Sequence, residues 1–407
     1  MSENIFYHAI VVGAGPAGSV TAAFLGKKGR KVLLLDRAKW PRDKTCGDAI
    51  SGKSVGMLEE LGMINAVEKA EHADVCGVVF SSPEGTVVKI AMERGGQEIG
   101  KGYVCRRKVY DNLLFENAKK HADVIEEAEV TGLVLENGKV AGVKARTGQG
   151  EQEFRSKVVI GADGVSSFVA RHVRGAEVDP KHTCIAYRAY YSGVKGMEGK
   201  IEIHFVDSIM PGYFWIFPLE NGLANVGLGM TMADVKEKDI GLAKAMDKII
   251  KENSLFKDRF SEAKPVSPIR AWTIPLGSKK RKLVSDNVLL VGDAAGLVDP
   301  FSGEGIGNAM TSAKIAANAV HEALEANDTS ESFLERYEKR LWDEIWGELS
   351  ASNTMQKLGR NKWLLNFVIN KAATSEKARE AIAGTLMSKE ATQAYSSPLF
   401  YLRLLLS

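Results

Sequence analysis

The feature that most constrains this chain is a glycine-rich turn close to its N-terminus. Residues 7–12 form an apolar run, and Gly13, Gly15 and Gly18 follow in the spacing GxGxxG. A small-residue segment then leads to a second apolar run, which ends in Asp36. This order, with an acid roughly 20 residues after the glycines, is typical of a βαβ unit that binds a dinucleotide. The alternative is a plain tight turn, because glycine-rich chains contain the short motif by chance.

Each position of this unit has a physical task. Gly13 permits the tight turn, Gly15 lets a pyrophosphate approach the backbone, and Gly18 allows close packing of helix on strand. The helix N-terminus offers N–H groups and a partial positive charge to phosphates. Asp36 ends the second strand, where a carboxylate accepts hydrogen bonds from the ribose hydroxyls.

Length and composition indicate a globular protein with two lobes that share a core. A chain of 407 residues is long for one domain, and its 45% hydrophobic and 26% charged residues are ordinary values. A net charge of +3 is too small to indicate nucleic-acid binding. The four cysteines have neither metal-ligand spacing nor disulfide density, so we expect a reducing, cytoplasmic setting and no bound metal.

The sequence contains no stretch that could cross a membrane as a helix. The apolar segments 363–369 and 399–406 fall well short of the ~18 residues required. The first strand begins almost at once, which predicts that no N-terminal signal precedes it. We expect the two apolar segments to close a pocket, with peripheral contact with a membrane as the alternative.

The remaining pattern predicts an α/β fold. Residues 37–54 lack periodicity and predict an ordered loop over the ligand, and residues 54–70 predict a helix. Alternation at 75–90 and 184–230 predicts an antiparallel sheet, whereas a long helix is predicted to begin near Glu304. We therefore expect a Rossmann-like lobe with a parallel sheet, an α+β lobe with an antiparallel sheet, and C-terminal helices.

The predicted lobes are discontinuous in sequence. Their ranges are 1–75, 100–172 and 283–330 for the dinucleotide lobe, 76–99 and 173–282 for the antiparallel-sheet lobe, and 331–407 for the C-terminal helical region. The second lobe is expected to bind the substrate.

Three further motifs point to one family of flavoproteins. They are the Gly161-Ala162-Asp163-Gly164 run, the Gly292-Asp293 run that leads into residues 300–309, and Arg107-x-x-Tyr110-Asp111. Together with GxGxxG, they resemble the FAD-dependent family that includes aromatic hydroxylases and geranylgeranyl reductases. The resemblance covers about residues 5 to 320, and it implies that the cofactor is FAD.

The resemblance also implies which residues hold FAD. Asp36 and Ala17 would serve the AMP half, Arg107 would reach the phosphates, and the Val130 backbone would contact adenine. Asp293 would hold the ribityl or pyrophosphate region. An unpaired buried carboxylate at a strand end is costly, which favours this binding role of Asp293 over a purely structural one.

The flavin ring is expected to meet the start of a helix. Gly305 and Ile306 would present N–H groups to it, because a helix N-terminus stabilises negative charge on the reduced ring. Asp163 alternatively caps a turn, and Arg107 alternatively forms a surface ion pair. The other expected FAD contacts are Gly13, Gly15, Gly18, Cys46, Gly47, Ala49 and Asp163.

Two segments indicate which members of this family the chain resembles. The loop 44–51 and the strand 211–218, followed by Gly227 and Gly229, resemble those of the archaeal digeranylgeranylglycerophospholipid reductases. The implied activity is FAD-dependent saturation of C=C bonds in geranylgeranyl chains, most simply those of membrane glycerophospholipids. The alternatives are a reductase of geranylgeranyl diphosphate or another prenyl group, a flavin monooxygenase of the same superfamily, and a lipid carrier with structural FAD.

Cys46 and three aromatic residues are the candidates for chemistry. Tyr213, Trp215 and Phe217 share one strand face, so they would wall an apolar channel to the flavin; the alternative is core packing. A thiol at Cys46 is mostly protonated at neutral pH and would donate a proton or position the alkene. The alternative is a small buried residue.

The expected partners are a prenylated lipid and a transient electron donor. The chain has no second dinucleotide fingerprint, so we expect either a ferredoxin-like protein or a reduced nicotinamide to deliver electrons. A lipid substrate is also compatible with peripheral contact with a membrane. No nucleic acid is expected.

Overall fold

The computed structural model describes residues 6–91, 93–94, 97–98, 102–175, 178–379 and 382. The strands in this part of the chain are β1 (Phe6–Val12), β2 (Val32–Leu35), β3 (Ala49–Ile50), β4 (Ala73–Val75), β5 (Gly77–Ser81), β6 (Val87–Ala91), β7 (Glu93–Arg94), β8 (Gln97–Glu98), β9 (Gly102–Val104), β10 (Asp123–Ile125), β11 (Glu129–Glu136), β12 (Lys139–Thr147), β13 (Gly150–Gly161), β14 (Thr183–Ser192), β15 (Lys200–His204), β16 (Tyr213–Pro218), β17 (Leu223–Thr231), β18 (Lys264–Pro265), β19 (Arg270–Pro275), β20 (Val284–Ser285) and β21 (Val288–Leu290).

The helices are interspersed with these strands. They are α1 (Pro16–Lys27), α2 (Gly52–Leu61), α3 (Ile64–Glu68), α4 (Arg107–Ala118), α5 (Phe168–Arg174), α6 (Met232–Lys238), α7 (Leu242–Glu252), α8 (Ile306–Glu325), α9 (Glu331–Leu358) and α10 (Lys362–Thr374). Single 3₁₀ turns lie at Pro180–His182, Asp207–Ile209, Glu220–Gly222 and Gly292–Ala294. Among the described helices, none is both long and apolar enough to cross a bilayer.

The first sheet is built around β1. Its strand order is β10-β2-β1-β13-β12-β11, with β21 beside β13 and β20 beside β21. The pairs of β1 with β2 and β13, of β2 with β10, and of β13 with β21 are parallel. All four residues of β2 are buried, as expected of a parallel strand covered on both faces. Helix α1 packs on α4 and α8 over one face of this sheet.

The second sheet has the order β18-β14-β17-β16-β15-β5-β6, with β19 also on β14. Its pairs are antiparallel except for β15 with β5. One face buries Phe214, Ile216 and Val226 in a cluster with Met246 and Ile249 of α7. Because side chains alternate along a strand, the neighbours of Phe214 and Ile216 on β16 lie on the other face.

The predicted α/β fold, with its parallel and antiparallel sheets, is confirmed. The two strands predicted at 75–90 are β5 and β6, and residues 184–230 supply the antiparallel β14–β17. The single helix predicted at 54–70 is wrong in one respect: Gly62, at φ +73°, ends α2, and α3 starts separately. The predicted loop 37–54 is also shorter, since β3 and α2 begin within it. The segment 399–406 lies outside the described residues, and the lobe boundaries stay a prediction.

Candidate active site

The glycine turn between β1 and α1 is held by the acid at the end of β2. The N–H of Ala14 donates to Asp36 Oδ2 at 2.6 Å, and the N–H of Ala38 donates to Oδ1 at 2.8 Å. Gly13 has φ +97°, and a Cβ there would lie 2.5 Å from the Ala162 carbonyl oxygen. The turn thus requires glycine, and the carboxylate fixes the backbone that leads into the N-terminus of α1.

A single large cavity extends from this turn to α10. Its volume is about 1620 Å³, well above the roughly 300–1,000 Å³ of most small-ligand sites. Apart from Gly18, which packs beneath the turn, every predicted site residue lines it: Gly13, Gly15, Ala17, Asp36, Cys46, Gly47, Ala49, Arg107, Val130, Asp163, Tyr213, Trp215, Phe217, Asp293, Gly305 and Ile306. The fold therefore brings residues that are nearly 300 positions apart in the sequence together around one cavity.

The polar part of the cavity contains a buried ion cluster. Arg107 donates to both carboxylate oxygens of Asp111 at 2.6 and 2.7 Å, and Arg42 donates to the same carboxylate at 2.6 Å. Burial opposes ionisation, yet the two guanidinium groups hold the pKa of Asp111 below its usual value. Arg107 is 3% exposed, so the interpretation as a surface ion pair is wrong.

Asp163 lies in the cavity wall but its carboxylate serves the chain itself. It accepts hydrogen bonds from the N–H groups of Phe168 and Val169 at 2.6 and 3.3 Å and from the Ser167 hydroxyl. These bonds give acceptors to the backbone N–H groups at the start of α5, which have no partner within the helix. The geometry favours the turn-capping alternative, and a direct contact with a ligand stays a prediction.

A second helix N-terminus faces the same space. Helix α8 begins at Ile306 with Gly305 as its N-cap, and these first N–H groups have no partner within the helix. The preceding loop is fixed by Asp299, whose Oδ1 accepts from the N–H groups of Phe301 and Ser302 at 3.0 and 2.8 Å. The N–H of Gly307 donates to the Glu304 carboxylate, and Gly305 and Ile306 place the positive partial charge of the helix start at the cavity wall.

The remainder of the cavity is apolar. Tyr213, Trp215 and Phe217 of β16 line it, and so do Leu365 and Val368 of α10. Trp215 and Phe217 are 6% and 9% exposed and belong to a buried cluster, so core packing and cavity lining both describe them. Further apolar lining comes from Val78, Phe80, Val88, Ile201, Ile203, Phe205 and Ile369.

Cys46 also lines the cavity, together with residues of its polar part and of its apolar part. The Arg107 guanidinium group acts electrostatically on its sulfur, and a Cβ at the neighbouring Gly47 would lie 2.9 Å from the Phe217 ring. Burial raises the pKa of the Cys46 thiol and Arg107 opposes that rise; the charge of Asp48 adds to the rise, whereas a hydrogen bond from the Asp48 backbone opposes it. Among the other cysteines, Cys184 also lines the cavity, which the sequence did not predict.

Comparison with known proteins identifies the family. A family model described as "FAD binding domain" matches residues 7–346. Digeranylgeranylglycerophospholipid reductase 1 of Methanococcoides burtonii is 33% identical over 355 residues, which are 86% of this chain and 83% of the relative. The reductase of that name from Methanosarcina acetivorans is 35% identical over 350 residues, 84% and 81% of the two chains. The chain belongs to the FAD-binding family that contains these reductases.

Solved structures agree with this assignment. A geranylgeranyl bacteriochlorophyll reductase-like protein of Thermoplasma acidophilum superposes with a TM-score of 0.82 at 26% identity, covering 96% of this chain and 98% of its own. A flavin-dependent brominase superposes with a TM-score of 0.79 at 20% identity over 98% of both chains, which shows the fold alone. The protein is an FAD-dependent oxidoreductase.

The residues present fit FAD as the cofactor. Two helix N-termini, a bare glycine turn and the buried Arg107 are suited to a phosphate-linked, partly anionic ligand. Besides these groups, the cavity of about 1620 Å³ has an apolar part lined by residues of β16 and α10. Within the described residues, no group of three or more His, Cys, Asp or Glu side chains is arranged to hold a metal ion.

The sequence did not reveal several polar residues around Cys46. Arg188 and Tyr190 of β14, Asn225 of β17, and Asp48 of the loop are all buried. Arg188 donates to Asp43 at 3.2 Å and lies 3.9 Å above the Tyr190 ring. Polar residues at buried positions of strands that otherwise alternate between apolar and polar residues were a signal available in the sequence. Their hydrogen-bond partners could not be predicted, because those partners are distant in sequence.

Proposed function

We propose that this flavoprotein saturates C=C bonds in the geranylgeranyl chains of glycerophospholipids. The observation that carries the proposal is that one cavity is lined both by the glycine turn after β1 and by apolar residues of β5, β15, β16 and α10. The names of the relatives, which refer to a digeranylgeranyl glycerophospholipid, support a prenyl lipid as the occupant.

The reaction needs a hydride and a proton on opposite carbons of one isolated double bond. Reduced FAD supplies the hydride when bound. The apolar wall of Tyr213, Trp215 and Phe217 would hold the chain and exclude water from the site. Cys46 is the proposed proton donor or alkene-positioning group, because a thiol with a raised pKa stays protonated at neutral pH.

The proposed roles at the FAD end follow the chemistry of each group. Asp36 and Ala17 would serve the AMP half, the Val130 backbone the adenine, Arg107 the phosphates, and Asp293 the ribityl or pyrophosphate region. Gly305 and Ile306 would meet the flavin ring at the start of α8, where positive partial charge stabilises its reduced form.

The reducing partner is proposed to act transiently. A ferredoxin-like protein or a reduced nicotinamide would transfer electrons to FAD. Each donor is added in turn to the protein under anaerobic conditions, and reduction of the bound flavin is measured by its absorbance. The donor that reduces the flavin distinguishes the two.

Contact with a membrane surface is the proposed route of the lipid into the cavity. Helix α10 lines the cavity with one face, while Trp363 is 65% exposed and stacks on Phe367. Tryptophan is common at membrane interfaces, and basic residues attract anionic lipids. Residues 355–379 hold six basic residues against the single acid Glu376, namely Lys357, Arg360, Lys362, Lys371, Lys377 and Arg379.

Vesicle sedimentation tests this route. The protein should sediment with vesicles of phosphatidylcholine and phosphatidylglycerol more than with phosphatidylcholine alone. Trp363→Ser should lower the bound fraction, whereas Leu135→Ser, a change at a residue 55% exposed on β11, should not. Equal binding by the two variants would contradict the route.

The proposed activity has a direct test. The enzyme, reduced under anaerobic conditions, is incubated with geranylgeranyl glycerophospholipid or with geranylgeranyl diphosphate, and mass spectrometry counts the hydrogens gained. Saturation of the phospholipid supports the proposal, and saturation of the diphosphate alone favours the other prenyl reductase. Oxygen consumption coupled to hydroxylated product, without saturation, would identify a monooxygenase. Full activity of Cys46→Ala with FAD bound would remove the thiol from the mechanism.

A further inference from the structure

A buried hydrogen-bond network joins the Cys46 loop to the strand that carries Trp215. Trp215 Nε1 donates to Asn225 Oδ1 at 2.9 Å. The amide nitrogen of Asn225 donates to the Cys46 carbonyl oxygen and to Asp48 Oδ2, both at 2.7 Å. Asn225 and Asp48 have no exposed surface, so the acceptor and the donors of the Asn225 side-chain amide make their hydrogen bonds inside the protein.

Asp48 is the point where this network meets the loop. Its Oδ2 also accepts from the Tyr190 hydroxyl at 2.8 Å, and its Oδ1 accepts from the Arg107 N–H at 3.3 Å. Its backbone has φ +66°, a left-handed conformation that few residues other than glycine adopt. The loop at Asp48 is therefore fixed by contacts to α4, β14 and β17 together.

The charges that face the Cys46 sulfur oppose one another. Arg107 acts on it from the start of α4, the carboxylate and the backbone N–H of Asp48 act on it from the same loop, and the neutral phenol of Tyr213 lies on β16. A guanidinium group beside a thiol favours the thiolate, and a nearby carboxylate favours the thiol. Asp48 in turn faces Arg107 and also Arg188 and Tyr190 of β14.

We propose that Asp48, held by Tyr190 and Asn225, is a positioning residue for the Cys46 thiol. It fixes the loop that carries the sulfur, and its negative charge adds to the effect of burial in keeping the sulfur protonated beside Arg107. The inference rests on the proposed function, in which a protonated thiol serves the alkene. Burial raises the pKa of Asp48 to about 6, so the carboxylate is charged at neutral and alkaline pH.

Thiol alkylation tests the inference without any lipid. The FAD-loaded protein is treated with iodoacetamide from about pH 7 to about pH 10, because only the thiolate reacts. Mass spectrometry of the tryptic peptide 45–53, which contains Cys46 and no other cysteine, gives the rate at each pH. In Asp48→Asn the rate profile should move to lower pH by about one unit, the size of shift that a neighbouring charge produces.

Two further variants separate charge from mere loosening of the loop. Asp48→Ser is also uncharged and should give the same shift. Tyr190→Phe keeps the carboxylate and should leave the midpoint where the wild type has it. A uniform rise in rate at every pH, with an unmoved midpoint in both uncharged variants, would assign Asp48 a structural role only and overturn the inference.

The same series separates this inference from the proposed function. A wild-type enzyme that saturates no prenyl lipid, combined with the shifted alkylation profile, would refute the activity and leave the role of Asp48 standing. If the activity is found, its alkaline limb in kcat should move to lower pH in Asp48→Asn by the same amount as the alkylation profile. An unmoved alkaline limb would overturn the inference for the reaction.

Discussion

The Lys44 ammonium group donates a hydrogen bond to the Asp293 carboxylate at 2.9 Å, so the loop after β2 is joined to the turn after β21. Both side chains are about one-fifth exposed, at 22% and 17%, and both line the cavity. Lys44 also lies 5.8 Å above the Trp272 ring on β19. One ion pair thus brings both sheets to the polar end of the cavity.

Neutralising Asp293 should weaken FAD binding. Asp293→Asn keeps the shape of the side chain but loses the negative charge that pairs with Lys44. It also loses one of the two carboxylate oxygens that would accept a hydrogen bond from the ligand. Since a hydrogen bond to a charged group contributes about 1.5–3 kcal/mol, the dissociation constant should rise roughly tenfold or more. Fluorescence titration of the FAD-free protein measures it. Asp247→Asn, at an exposed ion pair of α7, is the matched control, and equal constants for both variants would contradict the role.

Removing the carboxylate of Asp36 should destabilise the glycine turn itself. In Asp36→Ala the N–H groups of Ala14 and Ala38 lose their acceptor, and burial makes such a loss cost about 1–3 kcal/mol. Urea unfolding of the FAD-free protein should report this loss in the free energy of unfolding. Asp36→Asn, which retains one acceptor oxygen, should recover part of it. A wild-type unfolding curve for Asp36→Ala would show that the turn does not depend on the acid.

The stability of the protein should fall as pH rises through the titration of Asp48. Burial raises the pKa of Asp48 from 3.8 to about 6, although Arg188, Tyr190 and Asn225 oppose the rise. The folded state therefore binds this proton more tightly than the unfolded state. The associated stability is fully present below pH 3.8 and is lost as pH passes about 6. At about 1.4 kcal/mol per unit, the loss is up to about 3 kcal/mol.

Urea unfolding at a series of pH values from about 4 to about 7 measures this loss. Asp48→Asn, which cannot titrate, should have a flatter dependence on pH than the wild type. Asp43→Asn in the same loop, whose carboxylate pairs with Arg188, is the control for loss of a charge. Parallel curves for the wild type and Asp48→Asn would assign the pH dependence to other groups.

The sequence predicted what depends on local pattern. The βαβ unit was readable because the spacing of Gly13, Gly15 and Gly18 between two apolar runs defines a turn and a helix start without distant partners. The antiparallel sheet was readable from alternation at Tyr213 and Trp215. The break at Gly62 was missed, because a helix pattern on both sides concealed its left-handed conformation.

The polar network of the site could not be predicted in the same way. Asn225 and Asp48 are 177 residues apart, and their contact depends on which residue of β14 pairs with which residue of β17. Tyr190 lies opposite Asn225 in that register. A shift of one residue would turn Asn225 to the other face of the sheet. The list of charged and amide residues in the sequence is therefore compatible with many networks.

Filling the apolar part of the cavity should shorten the prenyl chain that the enzyme accepts. Ile203 of β15 lines this space and is only partly buried, so Ile203→Trp would project a larger ring into it. Because the change lies in the apolar part of the cavity and leaves the proposed FAD-binding residues unchanged, flavin content and flavin reduction should stay at wild-type levels. Saturation of a geranylgeranyl chain should fall at least tenfold, whereas a geranyl or farnesyl chain should lose much less, since one misfit costs about 1–3 kcal/mol.

Mass spectrometry of products from the chain-length series decides this prediction. Ile203→Ala, which enlarges the same space, is the matched variant and should retain the long chain. Leu135→Trp on β11, a position 55% exposed, controls for the added indole. If Ile203→Trp lowered the rates for all chain lengths by the same factor, the apolar space at β15 would not hold the lipid chain, and the channel would have to run elsewhere.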